Sequence, residues 1–139
     1  AGVGTLVLNS GYRPYDEQKA IYERVNNLQG FAVAEMLVAR AGYSEHQTGL
    51  AADVSAAGQG CVILTCFGQT EAGIWLSENA HFFGFIIRYP EGKESITGFQ
   101  YEPWHLRYVG IALALEMKEK GIQTLEEFWQ LPASPDYLG

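Results

Sequence analysis

Ser44-Glu45-His46-Gln47-Thr48-Gly49-Leu50-Ala51-Ala52-Asp53 sets an imidazole and a carboxylate seven residues apart. His46 offers a neutral nitrogen donor and Asp53 an anionic oxygen, and both suit zinc. Gly49 lets the backbone bend between them without a Cβ clash. Leu50 to Val54 then reads as a short strand, on which Ala51 and Asp53 share a face. A cation over Asp53 would have only a methyl group beside it.

Two donors do not make a site. The third lies downstream in Tyr101-Glu102-Pro103-Trp104-His105, where a Glu stands three residues before a His. A catalytic zinc takes three protein ligands and keeps a position for water, with a carboxylate nearby to take the water's proton. That assigns His46, Asp53 and His105 as ligands of one zinc and Glu102 as the base. Singly, each pair reads more readily as a surface ion pair or a satisfied core hydrogen bond; what raises the metal reading is the known pattern that the two match together. Pro103 disfavours helical backbone at Glu102. Glu102 is therefore expected in extended chain, and a turn or bulge has to bring it and His105 to one side.

Upstream, Thr5 to Asn9 is β-branched and apolar and reads as a first strand, closed by the turn signal Ser10-Gly11. Pro14 precedes a helix whose first turn carries Asp16 and Glu17, complementing the positive end of its dipole. Ala20, Ile21 and Val25 form its apolar stripe, and Asn26-Asn27 its end. A second helix is expected over 31–40 with Val33, Met36 and Leu37 inward. Downstream, 58–70 reads as an irregular excursion near the site. Thr70 caps a third helix running to about Phe83, with Ile74, Trp75, Leu76 and Ala80 inward and Gly84 as its stop. Phe85 to Tyr89 reads as a strand and 90–93 as a turn. Two more helices follow, over 109–120 and 125–131, split by Gly121, and 132–139 reads as a tail. This interleaving gives an α+β fold, a small and mostly antiparallel sheet with helices packed on it.

The 139 residues suffice for one domain, 1–139, with its own core. A hydrophobic content of 47% and a charged content of 18% make the chain globular rather than disordered. The net charge of −7 argues against binding nucleic acid; Arg13, Arg88 and Arg107 are the candidates for a locally positive site. No apolar run is long enough to span a bilayer. The chain opens on Ala1 without a Met or a signal peptide, which fits a mature form or a piece cut from a longer protein and does not argue for the cytoplasm. Cys61 and Cys66 fit neither a Cys-x-x-Cys redox motif nor a zinc knuckle. Two readings stay open: a disulfide, which needs the chain to curl until the Cα atoms stand about 5.5 Å apart, or two free thiols flanking an extended Val62-Ile63-Leu64.

The first motif, Ser-x-His-x-x-Gly-x-Ala-x-Asp, is met by Ser44, His46, Gly49, Ala51 and Asp53. The second, Glu-x-x-His, is met by Glu102 and His105. Together they resemble the zinc D,D-carboxypeptidases of the VanY type and the related L,D-carboxypeptidases of bacterial cell-wall metabolism. Ser10-Gly11-Tyr12-Arg13, Glu78-Asn79-Ala80-His81, the run 83–90 and Trp104 to Gly110 extend the resemblance over roughly residues 4 to 120.

The resemblance implies a zinc site on the exposed face of the sheet. It implies removal of the C-terminal D-alanine from a peptidoglycan stem peptide, by a monomer acting outside the membrane, in the cell wall or membrane-anchored. Arg13 would hold the developing oxyanion, whereas position alone reads it as a surface residue paired with Asp16. Gln18, Ser44 and Tyr89 become candidates for binding the terminal carboxylate or a peptide amide; without the family each reads as ordinary. Trp104 either walls the pocket or fills the core, and His81 has no metal role. L,D action on a tetrapeptide stem is the alternative that the metal motif does not separate. A non-catalytic zinc-bearing module that binds peptidoglycan is another, and the presence of Glu102 counts against it. Ser44 lacks a Ser-x-x-Lys partner, so no acyl-enzyme and only poor inhibition by β-lactams are expected.

Overall fold

The computed structural model describes residues 2–134; the expected tail lies outside the described residues from 135 onward. Four strands, β1 (Leu6–Ser10), β2 (Ala51–Ala56), β3 (Phe85–Tyr89) and β4 (Glu102–Tyr108), form one sheet. Their order is β1-β2-β4-β3, with every pair antiparallel. The α+β expectation holds. The two motif-bearing strands are neighbours at its centre, and Asp53 stands directly opposite His105.

Alternation along β2 and β4 divides the sheet into two faces. Val54, Ala56 and Leu106 enter the apolar core with Phe67, Ala72, Leu76, Ala80 and Trp104. Asp53 and His105, one residue out of step with Val54 and Leu106, take the other face. β4 is not regular: Ile87 pairs with Leu106, yet Tyr89 pairs with Glu102, so β3 advances two residues while β4 advances four. This is the expected bulge, and it brings Glu102 and His105 to one cavity. A second irregularity, between Leu8 and Ser10, sets Ser10 opposite Asp53.

The described residues also form six helices: α1 (Tyr15–Gln29), α2 (Phe31–Leu37), α3 (Glu71–Asn79), α4 (Glu94–Thr97), α5 (Ile111–Lys120) and α6 (Leu125–Phe128). α1 runs two residues past the expected stop at Asn26-Asn27, because Asn weakens a helix only slightly while Gly30, at φ 88°, ends it. α2 stops short of the expected Arg40. Val38 is extended, the Ala39 carbonyl accepts from Gln18, and the Arg40 guanidinium folds back on Glu35. Its buried residue is Ala34, while Val33 and Met36 are exposed. α3 starts at Thr70 as expected, with the Gly73 N–H donating to the Thr70 hydroxyl. It tightens into a 3-10 turn over Ala80–Phe83 before Gly84 stops it, and Ile74 faces outward. A Cβ on Gly73 would stand 1.9 Å from the Phe67 carbonyl oxygen, so only glycine lets α3 press on that segment. α5 begins at Ile111, two residues later than expected, and α6 spans four residues rather than seven, capped by Thr124.

The excursion at 58–70 holds a 3-10 turn, Thr65–Gln69, and the Cys61–Cys66 disulfide, with Cα atoms 5.6 Å apart. The chain curls there through positive φ at Cys61 (54°) and Ile63 (51°). Of the two readings left open by the sequence, the disulfide is the one realised.

Candidate metal centre

Gly11, Ser44 and the backbone around them aim His46. Ser44 caps a 3-10 turn over Glu45–Thr48 by accepting from the His46 N–H, and Gly49 closes the turn in left-handed backbone at φ 73°. The Arg13 N–H donates to the His46 carbonyl at 3.1 Å. His46 Nδ1 lies 2.6 Å from the Gly11 carbonyl. A carbonyl only accepts, so Nδ1 carries the proton and Nε2 keeps its lone pair for the cavity.

His46 Nε2 faces Asp53, whose Oδ2 is 3.1 Å away and whose Oδ1 is 2.9 Å from His105 Nδ1. One ligating atom from each of the three residues lies within 4.8 Å of the others, and all three residues are buried. Tetrahedral ligands at about 2.0–2.1 Å from zinc stand roughly 3.3 Å apart. The donors therefore sit near the required spacing, and the His-Asp-His set suits that ion. The electrostatics agree. Burial alone would raise Asp53, but the two histidines hold it well below the usual carboxylate range. Burial alone would lower His105, but Asp53 and Glu45 raise it to about 9. These are groups arranged to share protons, and a cation among them would displace those protons.

Glu102 is 6% exposed and opens onto the same cavity of about 290 Å³. Burial pushes its carboxyl up to about 8, helped by Asp53 and opposed by His105 and Arg13. Arg13 pairs with Asp53 at 3.5 Å, not with Asp16, and donates to Ser10 Oγ and Gln18 Oε1. Gln18 in turn donates to the Ala39 carbonyl at 2.6 Å, so both ends of its amide serve to hold Arg13. Tyr89 stacks on the His105 ring, with centroids 5.0 Å apart and planes at 29°. Trp104 does both jobs left open for it, entering the core and lining the cavity. Ile63 of the disulfide loop lines it too. His81 stands elsewhere, on a cavity of about 370 Å³ beside Met117 and Lys118.

Two expectations need correcting. Arg88 and Arg107 do not make the site positive: both bind Glu45 Oε1, at 2.8 and 2.9 Å, and Arg88 also grips Glu126. Glu45, read from the sequence as a filler position of the motif, reaches His105 Nε2 at 3.4 Å. The one signal for it was an Arg inside each of two strands, which requires a buried counter-ion without saying which.

Comparison with known proteins gives one consistent picture. A family model described as VanY, D-alanyl-D-alanine carboxypeptidase, matches residues 2–111. The putative carboxypeptidase YodJ of Bacillus subtilis (strain 168) is 49% identical over 125 residues, covering 90% of this chain and 45% of that protein. The solved LdcB LD-carboxypeptidase is 47% identical with a TM-score of 0.83, covering 91% of this chain and 59% of that one. A point mutant of a vancomycin-resistance D,D-pentapeptidase, VanY of a VanB-type cassette, solved in complex with Zn(II), is 39% identical with a TM-score of 0.76 over 91% of this chain and 72% of its own. The chain thus spans about half the length of the relative from Bacillus.

Proposed function

The chain belongs to the VanY family of D-alanyl-D-alanine carboxypeptidases, and from that footing we propose that it removes the C-terminal D-alanine from peptidoglycan stem peptides with one zinc ion held by His46, Asp53 and His105. The observation that carries the reading is the convergence of those three donors beside a buried glutamate at the floor of one cavity. Bound there, zinc supplies Lewis acidity to the water and to the scissile carbonyl.

The chain's own groups supply the rest. Glu102, raised by burial toward neutrality, is poised to take a proton from the attacking water and return it to the leaving amine. Arg13, fixed by Gln18 and Ser10, presents its guanidinium to the oxyanion that develops on the carbonyl. Ser44 accepts from the His46 N–H, which leaves its own proton for the substrate's terminal carboxylate. Tyr89, flat against His105, contributes a wall of that subsite. The Ser44 hydroxyl caps a turn and has no base beside it, so β-lactams have no nucleophile to acylate.

L,D action on a tetrapeptide stem is the second reading, favoured by the stronger likeness to LdcB than to the zinc-bound D,D-pentapeptidase. We place the catalytic unit in a single domain that works as a monomer on the outer side of the membrane, and no helix among the described residues is long and apolar enough to cross one. Alanine released from pentapeptide and tetrapeptide stems, measured in parallel with chelator and zinc add-back, tests the proposal. Release from the pentapeptide that stops with chelator and returns with zinc is the expected result. Release from the tetrapeptide alone would move the chain to the second reading, and no zinc-dependent release from either would reject both.

A further inference from the structure

Behind His105, on the side away from Asp53, a row of charged side chains runs to the C-terminal part of the chain. Glu45 Oε2 lies 3.4 Å from His105 Nε2. Glu45 Oε1 accepts from Arg88 Nε at 2.8 Å and from Arg107 Nη1 at 2.9 Å. The remaining nitrogens of Arg88, Nη1 and Nη2, bond the two oxygens of Glu126 at 3.0 and 2.6 Å. Glu126 is buried in α6, beyond the residues 2–111 matched by the family model.

A neutral imidazole that ligates through one nitrogen carries its proton on the other, and the group accepting that proton fixes both tautomer and ring plane. His46 uses the Gly11 carbonyl for this. For His105, the partner on Nε2 among the described residues is Glu45. We propose that Glu45 is the positioning residue of His105, and that Glu126, acting through Arg88, holds Glu45 in place, so that Nδ1 of His105 is the nitrogen presented beside Asp53. This rests on the zinc reading above and adds to it a support drawn from α6. The row is charge-neutral, two carboxylates against two guanidiniums. Glu45 also opens the turn that carries His46. One short segment therefore delivers the first histidine and orients the second. Both oxygens of Glu45 are engaged, Oε1 by two arginines and Oε2 by His105, whereas Glu102 accepts no hydrogen bond from the described residues, which separates the two roles.

The test uses zinc affinity by chelator competition, circular dichroism for folding, and nitrogen-15 NMR of the His105 ring. In the zinc-loaded chain, Nε2 of His105 is expected to bear the proton. Glu45→Ala should lower zinc affinity by about 10–100-fold, and Glu45→Gln, which keeps an acceptor, by less. Glu126→Ala should lower it several-fold and add little on the Glu45→Ala background, since groups acting in one chain are not additive. Folded Glu45→Ala binding zinc within about twofold of the parent would overturn the inference, given the loss expected when such a support is removed. So would ligation through Nε2. Should Glu45→Ala fail to fold, an Nε2 proton resonance unmoved by Glu45→Gln overturns it instead. A parent chain that binds no zinc, or an His105→Ala variant that binds it fully, overturns the zinc reading as well. Loss of zinc in His105→Ala without any loss in the Glu45 variants overturns this inference alone.

Discussion

Two clusters of buried charge meet at His105, and they are built in opposite ways. On one side Glu45, Arg88, Arg107 and Glu126 form a closed set. Burial would raise the Glu45 carboxyl, but His105 and the two arginines hold it well below the usual range. Burial would likewise weaken the charge on Arg88, yet Glu126 and Glu45 secure it. On the other side His46, Asp53, Glu102 and Arg13 form an open set. Glu102 accepts no hydrogen bond from the described residues, and burial drives its carboxyl up to about 8. Its oxygens look into a cavity rather than at a partner. Buried polar groups are normally paired, so Glu102, without a hydrogen bond among the described residues, marks where a ligand completes the open set, and the closed set marks what holds that place still.

Substitutions can break or sharpen this contrast. The largest effect belongs to the donors: His105→Ala should abolish zinc binding and take turnover to background, and elemental analysis showing full zinc would remove His105 from the set. Next is Glu102→Gln, which keeps shape but cannot accept a proton. Turnover should fall roughly 10²–10⁴-fold while zinc content and thermal stability hold, because an unpaired buried carboxyl adds nothing to the fold. Near-normal turnover would mean another base. Arg13→Ala should cost about 3 kcal/mol of transition-state stabilisation, on the scale of a lost oxyanion donor, with zinc still bound; a loss under about tenfold would return Arg13 to a purely structural role.

The closed cluster should behave in the reverse sense. Arg88→Met strands Glu126, leaves Glu45 with Arg107 and His105 alone, and should cost about 3–5 kcal/mol of folding stability, read by urea denaturation. Turnover at saturating zinc should stay within about tenfold, since metal in excess offsets a weaker site. Turnover lost outright with zinc bound would erase the distinction between the two clusters. The smallest effect on turnover is expected at the disulfide. Cys61→Ser with Cys66→Ser should leave turnover unchanged and cost about 2 kcal/mol for so short a loop. Intact mass before and after reduction of the parent should differ by two hydrogens.

The open cluster was legible in the sequence and the closed one was not, for a physical reason. Metal donors, and a base beside them, must be particular residue types at spacings that a turn and a strand can satisfy, so His46, Asp53 and His105, with Glu102 next to them, announce themselves. Pro103 even announced the bulge. A supporting ion pair has no such signature: any of the 16 acidic residues could have answered Arg88, and only the fold brings Glu126 to it. The helix ends that were misjudged have a similar cause. Ala34 is buried in place of Val33 and Met36 because a small side chain lets α2 approach its neighbour, a choice made by packing rather than by hydrophobicity. Thr70, Gly84 and Gly121 were read correctly because caps and left-handed stops are local chemistry.

The strand order carries a consequence in time. β2 and β4 are adjacent in the sheet, yet Asp53 and His105 are 52 residues apart in the chain. As the polypeptide emerges, His46 and Asp53 exist early as a two-donor half-site, too weak to keep a catalytic ion. The excursion with its disulfide, α3 and β3 must all appear before β4 can slot between β2 and β3. Such non-local pairing is the slow kind, because loop closure precedes any reward in contacts. Tight metal capture is therefore tied to the last strand insertion, and retained zinc would distinguish a finished molecule from a nascent or misfolded one.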